Sequence, residues 1–167
     1  MNLEAFNQLH EAEARRLLTQ CCAATTWVER MLAARPFTDS DSLLRLAAQH
    51  WKELGEADYL QAFAAHPQIG AIDSLREKYT DTKTLAGGEQ AGVDGADEAT
   101  LQALAAGNNA YRDKFGFIFI VCATGKSAAE MLQLLQQRLP NERAVELRNA
   151  AEQQHKITRI RLEQLLL

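Results

Sequence analysis

The residue in this chain best suited to chemistry is His66, in the segment Ala65-His66-Pro67-Gln68-Ile69-Gly70. The apolar residues before it recur at helical spacing, Pro67 disfavours helical backbone at residue 66, and Gly70 permits a sharp turn. We therefore expect His66 at the end of a helix. An imidazole there could exchange a proton with a ligand near neutral pH. It could equally interact with the carbonyl end of the helix dipole.

A second polar group follows the flexible pair Gly87-Gly88, where Glu89 and Gln90 stand side by side. The carboxylate of Glu89 could orient a histidine, and the amide of Gln90 offers a donor and an acceptor to a urea-like edge. The alternative is an acidic first turn of a helix, which the helix dipole favours.

The run Phe117-Ile118-Phe119-Ile120-Val121-Cys122-Ala123 is continuously apolar and lies between Gly116 and Gly125. Its aromatic and β-branched residues predict a buried extended segment. Backbone groups in an isolated extended segment need hydrogen-bond partners. A flat heterocycle could provide them, or the run could fill the core with its backbone satisfied by side chains or water.

Two arginines, Arg159 and Arg161, lie in an apolar stretch near the end of the chain. A guanidinium group remains charged in proteins. A substrate carboxylate, a structural glutamate or solvent could each accommodate it.

Helical periods predict the elements that carry these groups. In the first part of the chain we expect a helix over residues 3–22, one from Thr25 or Thr26 to Arg35-Pro36, one from an N-cap at Ser40 to Gly55, and one that ends directly before His66. In the second part we expect helices over residues 72–79 and 96–115. Two more helices follow, one from the Ser127–Glu130 capping box to Pro140 and one from Asn141 to the end. Residues 80–88 read as a loop, within a polar stretch over 80–97 that could form a lid. The predicted fold is all-α, a single-domain helical bundle over residues 1–167 with one short extended apolar segment near 117–123.

The composition of the chain argues against several classes of function. The chain has 167 residues, 47% hydrophobic and 24% charged, and a net charge of −4, which fits a globular protein and disfavours nucleic acid as a partner. No apolar run is long enough for a membrane helix. Three cysteines and four histidines lack disulfide or zinc spacing, so we expect no metal and a reducing compartment. With no export or peroxisomal signal, the cytoplasm is the expected location.

Four motifs occur together in a fixed order: His66-Pro67-Gln68-Ile69-Gly70, Glu89-Gln90-Ala91-Gly92, residues 109–120 and Ile157-Thr158-Arg159-Ile160-Arg161-Leu162. This set closely resembles the 2-oxo-4-hydroxy-4-carboxy-5-ureidoimidazoline (OHCU) decarboxylase family of urate degradation. The resemblance extends over nearly the whole chain. It implies an all-helical and often dimeric enzyme that decarboxylates its small-molecule substrate to (S)-allantoin without a metal or organic cofactor.

The resemblance also implies roles for particular residues. His66 corresponds to the catalytic acid/base and Glu89 to the carboxylate that orients it. The substrate would be bound by Pro67, Gln90, the backbone of Phe119, Ile120 and Val121, and Arg161, with Arg159 as the alternative arginine. The chain departs from the pattern at Ala86, where relatives often have a serine, so a ligand hydrogen bond is lost or supplied by Thr84 or the backbone.

Two other functions remain open. One is a helical binding module without catalysis, and the other is an enzyme that hydrolyses or isomerises a related ureido heterocycle. We expect a homodimer on the resemblance alone.

Overall fold

The computed structural model describes residues 1–67 and 98–166, and this part of the chain is helical without strands. The all-α prediction is confirmed. The helices are α1 (Leu3–Gln8), α2 (Glu11–Cys21), α3 (Thr25–Ala33), α4 (Ser40–Lys52), α5 (Glu56–Ala64), α6 (Glu98–Phe115), α7 (Ala128–Arg138) and α8 (Arg143–Leu165). Within the described ranges, no helix has the length and apolar character needed to cross a membrane.

The chain divides into two compact units. The terminal unit comprises Met1–His66 with Asn149–Leu167, and the central unit comprises Pro67–Arg148. The organisation as a single domain stays a prediction.

The terminal unit is built around large apolar side chains that helical spacing brings to one face of each helix. Trp27 and Met31 of α3 are fully buried, as are Leu18 of α2 and Leu43 of α4. The indole of Trp27 donates a 3.0 Å hydrogen bond to the carbonyl of Ala47 on α4, so its polar atom is satisfied in the core.

The first predicted helix, over residues 3–22, is two helices with a break at Leu9 and His10. The apolar periodicity did not reveal the break, because the group that stabilises it, the guanidinium of Arg35, lies in a distant part of the chain. Nη1 of Arg35 donates to the carbonyls of Phe6 and Leu9, both at 3.0 Å. Carbonyls that leave a helix need such donors.

Other helix boundaries agree closely with the sequence patterns. Ser127 caps α7, and its hydroxyl accepts from the amide of Glu130 at 3.2 Å, as the capping box predicts. Asp39 caps α4 in place of Ser40 and accepts from the amide of Ser42 at 2.6 Å. The last helix begins at Arg143, two residues after the predicted cap at Asn141.

The central unit has an aromatic core around Tyr111, which is fully buried. Its ring contacts those of Phe115, Phe117 and Phe119 at centroid distances of 4.5, 5.9 and 5.3 Å. Residues 118–123 form neither helix nor strand. The bounding glycines, Gly116 and Gly125, have φ angles of +82° and +74°, a conformation that disfavours other residue types.

Several expectations lie outside the described residues. These are the short helix over 72–79, the loop over 80–88 and the proposed lid over 80–97.

Candidate active site

A cavity of about 260 Å³ lies in the terminal unit beside His66. The ends of α2 and α5 and one face of α8 form its walls. The lining residues are Thr19, Gln20, Ala23, Ala62, Ala65, His66, Gln154 and Arg161. The cavity therefore combines a titratable imidazole, an amide and a guanidinium group within small apolar walls, which is the usual composition of a small-molecule site.

His66 lies just beyond the C-terminus of α5, as the sequence predicts. The helix ends at Ala64, Ala65 forms the cap, and the amide of His66 still donates to the carbonyl of Phe63 at 3.1 Å. Pro67 follows directly and is exposed. A rigid helix end thus fixes the backbone of His66, while its side chain is only partly buried.

Among the described residues, Gln154 of α8 is a hydrogen-bond partner of the imidazole, and the sequence analysis did not identify it. Nε2 of His66 lies 2.5 Å from Oε1 of Gln154, across 88 residues of sequence. Nε2 of Gln154 donates to the hydroxyl of Thr158 at 3.1 Å. Gln154 and Thr158 are only 1% and 3% exposed. The sequence carries only a weak signal for this contact, two polar residues four positions apart and so on one face of the helix.

Burial lowers the pKa of His66 below its usual value. The positive charge of Arg161 also lowers this pKa, whereas the hydrogen bond to Gln154 acts in the opposite direction. A histidine held by the helix dipole would have a raised pKa. The imidazole is therefore neutral near pH 7 and able to accept a proton.

Arg161 and Arg159 have different surroundings. Nη1 of Arg161 donates to the carbonyls of Gln20 and Cys21, at 3.2 and 3.4 Å, where α2 ends. Arg161 also lines the cavity beside His66. Arg159 instead forms an exposed ion pair with Glu163, with an N–O distance of 2.9 Å. Arg161 is thus the arginine that the structure brings to the cavity of His66.

The segment over residues 119–121 belongs to the central unit. Phe119 and Ile120 are buried, and the carbonyl of Ile120 accepts a 2.7 Å hydrogen bond from Arg138. The carbonyl of Cys122 accepts from Nζ of Lys126 at 2.9 Å. Side chains therefore satisfy part of this backbone, which the core-filling alternative required. The role of Phe119, Ile120 and Val121 in binding substrate stays a prediction.

Glu89, Gln90, Ala86 and Thr84 lie outside the described residues. Their predicted roles stay predictions.

The cysteines beside the cavity have inert surroundings. Cys21 and Cys22 are buried, and burial raises the pKa of both thiols to about 11. Among the described residues, no group of three or more His, Cys, Asp or Glu side chains could hold a metal ion.

A second cavity, of about 410 Å³, opens on the terminal unit near Asn7, Glu11, Glu29 and Arg35. The carboxylates of Glu11 and Glu29 both pair with Arg15, and Asn7 and Arg35 hydrogen-bond to backbone groups. Because its side chains serve ion pairs and backbone, this cavity is less suited to proton transfer than the cavity at His66.

Comparison with known proteins gives concordant results. A family model described as OHCU decarboxylase matches residues 7–163. The chain is similar to the uric acid degradation bifunctional protein TTL of Arabidopsis thaliana, with 34% identity over 145 residues, covering 87% of this chain and 45% of that protein. It is also similar to the 2-oxo-4-hydroxy-4-carboxy-5-ureidoimidazoline decarboxylase of Halalkalicoccus jeotgali, with 26% identity over 99% of this chain and 92% of that protein.

Solved structures include a similar fold. A crystal structure of an OHCU decarboxylase in the presence of (S)-allantoin superposes with a TM-score of 0.72 and 36% identity. The match covers 89% of this chain and 95% of that chain. The chain thus spans less than half of the Arabidopsis protein but nearly the full length of this structure.

Proposed function

Since the chain belongs to the OHCU decarboxylase family, we propose that it decarboxylates 2-oxo-4-hydroxy-4-carboxy-5-ureidoimidazoline to (S)-allantoin in urate degradation. The observation that carries this proposal is the cavity in which a neutral His66 and the charged Arg161 occur together. The imidazole can accept the proton of the substrate hydroxyl, and the guanidinium can bind the negatively charged carboxylate.

The reaction requires no electron sink beyond the substrate. When the C–C bond to the carboxylate breaks, its electron pair enters the conjugated ring and CO2 leaves. The protein must then control proton transfer. We assign to His66 the polarisation or deprotonation of the substrate hydroxyl, followed by protonation of one face of the carbanion or enol. Delivery to a single face yields one enantiomer.

The other site residues have supporting roles in this proposal. In this proposal Arg161 binds the substrate carboxylate, or a polar edge of the substrate ring or ureido group. Its guanidinium carries five N–H donors for these contacts. Glu89 would orient His66 once the ring has taken up a proton and both of its nitrogens carry hydrogens. Pro67, Gln90 and the backbone of Phe119, Ile120 and Val121 would complete the pocket. We further propose that no metal or organic cofactor takes part, so dialysis against a chelator should leave the activity unchanged.

The test must be stereochemical as well as kinetic, because the substrate decays spontaneously. The substrate is generated in situ from urate, and circular dichroism follows the formation of allantoin. We expect rapid appearance of (S)-allantoin with the wild-type protein and loss of the enantiomeric excess with His66→Asn. Racemic product at the uncatalysed rate with the wild-type protein would contradict the enzyme and favour a binding module. Full activity of His66→Asn would contradict only the role of His66.

A separate assay with 5-hydroxyisourate tests the alternative of hydrolysis or isomerisation. Consumption of that compound faster than its spontaneous decay, without an effect on the ureidoimidazoline, would assign the site to the other reaction.

We also propose that residues 1–167 form a single domain, that the protein is a cytoplasmic homodimer, and that it acts without membrane or nucleic-acid partners. Light scattering coupled to size-exclusion chromatography tests the dimer. A mass near the 18.6 kDa of one chain would contradict it.

A further inference from the structure

The contact between His66 and Gln154 bears on which ring nitrogen of the histidine exchanges protons. A neutral imidazole carries its hydrogen on either Nδ1 or Nε2, and the partner of each nitrogen decides which tautomer is favoured. Here Nε2 faces the side-chain amide of Gln154. An amide oxygen only accepts hydrogen bonds, whereas an amide nitrogen only donates them.

The orientation of the Gln154 amide follows from its second contact. Its nitrogen lies 3.1 Å from the hydroxyl oxygen of Thr158. A hydroxyl oxygen has lone pairs that can accept from an amide N–H. In the structure the amide nitrogen of Gln154 faces Thr158, and its oxygen faces His66.

We propose that Gln154 is a positioning residue that fixes the Nε2–H tautomer of His66, so that Nδ1 is the nitrogen that exchanges the proton with the substrate. This inference rests on the proposed function for the role of Nδ1, but the tautomer itself is a property of the protein without substrate. Because Gln154 is 1% exposed, water does not compete effectively for the contact.

The direct test is nitrogen NMR of protein labelled with ¹⁵N-histidine, without substrate and at a pH above the pKa of His66. The chain has four histidines, and the resonances that disappear in His66→Asn identify those of His66. We expect the shift of an unprotonated nitrogen at Nδ1 and of a protonated nitrogen at Nε2. The opposite pattern, or averaged shifts in the wild-type protein, would overturn the proposal.

Two variants and one control separate positioning from general stability. Gln154→Leu should bring the two nitrogen shifts together as the tautomers mix, and kcat should fall roughly tenfold with little change in KM, as loss of one hydrogen bond predicts. Gln154→Glu keeps an acceptor opposite Nε2, so it should retain the wild-type tautomer and raise the pKa of His66. Gln164→Leu makes the same chemical change at an exposed position of α8 and should alter neither shift.

Unchanged shifts in a folded Gln154→Leu protein would overturn the proposal. If that variant does not fold, the wild-type spectrum and Gln154→Glu still decide the tautomer. Absence of decarboxylase activity in the wild-type protein would contradict the proposed function and leave the tautomer result intact, so the two failures are distinguishable.

Discussion

The neutral state of His66 depends on burial and on the nearby charge of Arg161. A base must be unprotonated to act, so kcat/KM should fall as the pH drops through the lowered pKa of His66. We therefore expect the acid limb of the rate profile to have its midpoint below the usual histidine value of about 6.5. Initial rates measured by circular dichroism between about pH 5 and pH 8 test this.

Arg161→Gln provides a check on the cause of that shift. Removing the guanidinium removes one influence that lowers the pKa of His66, so the midpoint should move to higher pH. A midpoint at or above the usual histidine value in the wild-type protein would show that burial does not govern this imidazole.

Arg161 and Arg159 form a matched pair for testing the anchor. Arg161→Gln should lower kcat/KM roughly tenfold or more, mainly through KM, because a hydrogen bond to a charged group contributes about 1.5–3 kcal/mol. Arg159→Gln should leave kcat/KM nearly unchanged, since its side chain is exposed and pairs with Glu163. Steady-state kinetics of both variants, with thermal melts to confirm folding, measures the difference. Equal losses in both variants, or a larger loss in Arg159→Gln, would reverse the assignment.

The sequence predicted the position of His66 but not its contact with Gln154. Pro67 limits the helix locally, so its effect on the preceding residue can be read directly from the chain. Gln154 is 88 residues away, and nothing in a helical pattern distinguishes a buried glutamine from an exposed one. Such a contact depends on tertiary packing, and so does the presence of Arg161, but not Arg159, in the lining of the cavity at His66.

At the scale of elements, the break between α1 and α2 shows the same limit. The apolar spacing over residues 3–22 fits one helix, and the side chain that satisfies the carbonyls at the break is Arg35. Local capping predicted the start of α7 at Ser127 correctly and misplaced the cap of α4 by one residue, at Ser40 instead of Asp39. The break that a distant donor stabilises was not predicted, because the donor has no local signature.

Gly107 tests the packing of α6 against α7 within the central unit. A Cβ atom at this position would lie 2.5 Å from Cδ2 and 3.3 Å from Cγ of Leu135, which is only 1% exposed. Alanine gains about 1 kcal/mol of helix propensity over glycine, whereas overpacking a core costs about 1–3 kcal/mol. We therefore expect Gly107→Ala to reduce the free energy of unfolding by about 1 kcal/mol, measured by urea denaturation.

The companion variant Gly107→Ala/Leu135→Val removes a methylene group where the new Cβ would lie. The cost of Gly107→Ala is the free energy of unfolding that the substitution removes. This cost should be smaller in the Leu135→Val background than in the wild-type background. A gain in stability from Gly107→Ala in the wild-type background would show that Leu135 moves aside at little cost.

At the scale of the whole molecule, a buried network in the central unit allows the single-domain proposal to be tested. Glu146 is fully buried, and its carboxylate accepts from Nε of Arg138 at 2.8 Å and from the hydroxyl of Tyr111 at 2.6 Å. Removing one partner of a buried ion pair costs about 3–5 kcal/mol, because the remaining charge lies in a medium of low dielectric constant. Arg138→Met should therefore strongly destabilise the central unit.

The two tryptophans of the chain, Trp27 and Trp51, both lie in the terminal unit and are buried. Their fluorescence reports on that unit, whereas far-ultraviolet circular dichroism reports on helices of both. If the chain unfolds as one cooperative domain, Arg138→Met should shift both transitions together, by about 1 M urea or more. A shift in circular dichroism without one in fluorescence would mean that the units unfold separately. Arg112→Met is the control, because Arg112 is exposed, and it should shift neither unfolding midpoint. A shift of the fluorescence midpoint with Arg138→Met then measures how strongly unfolding of the central unit is coupled to unfolding of the terminal unit.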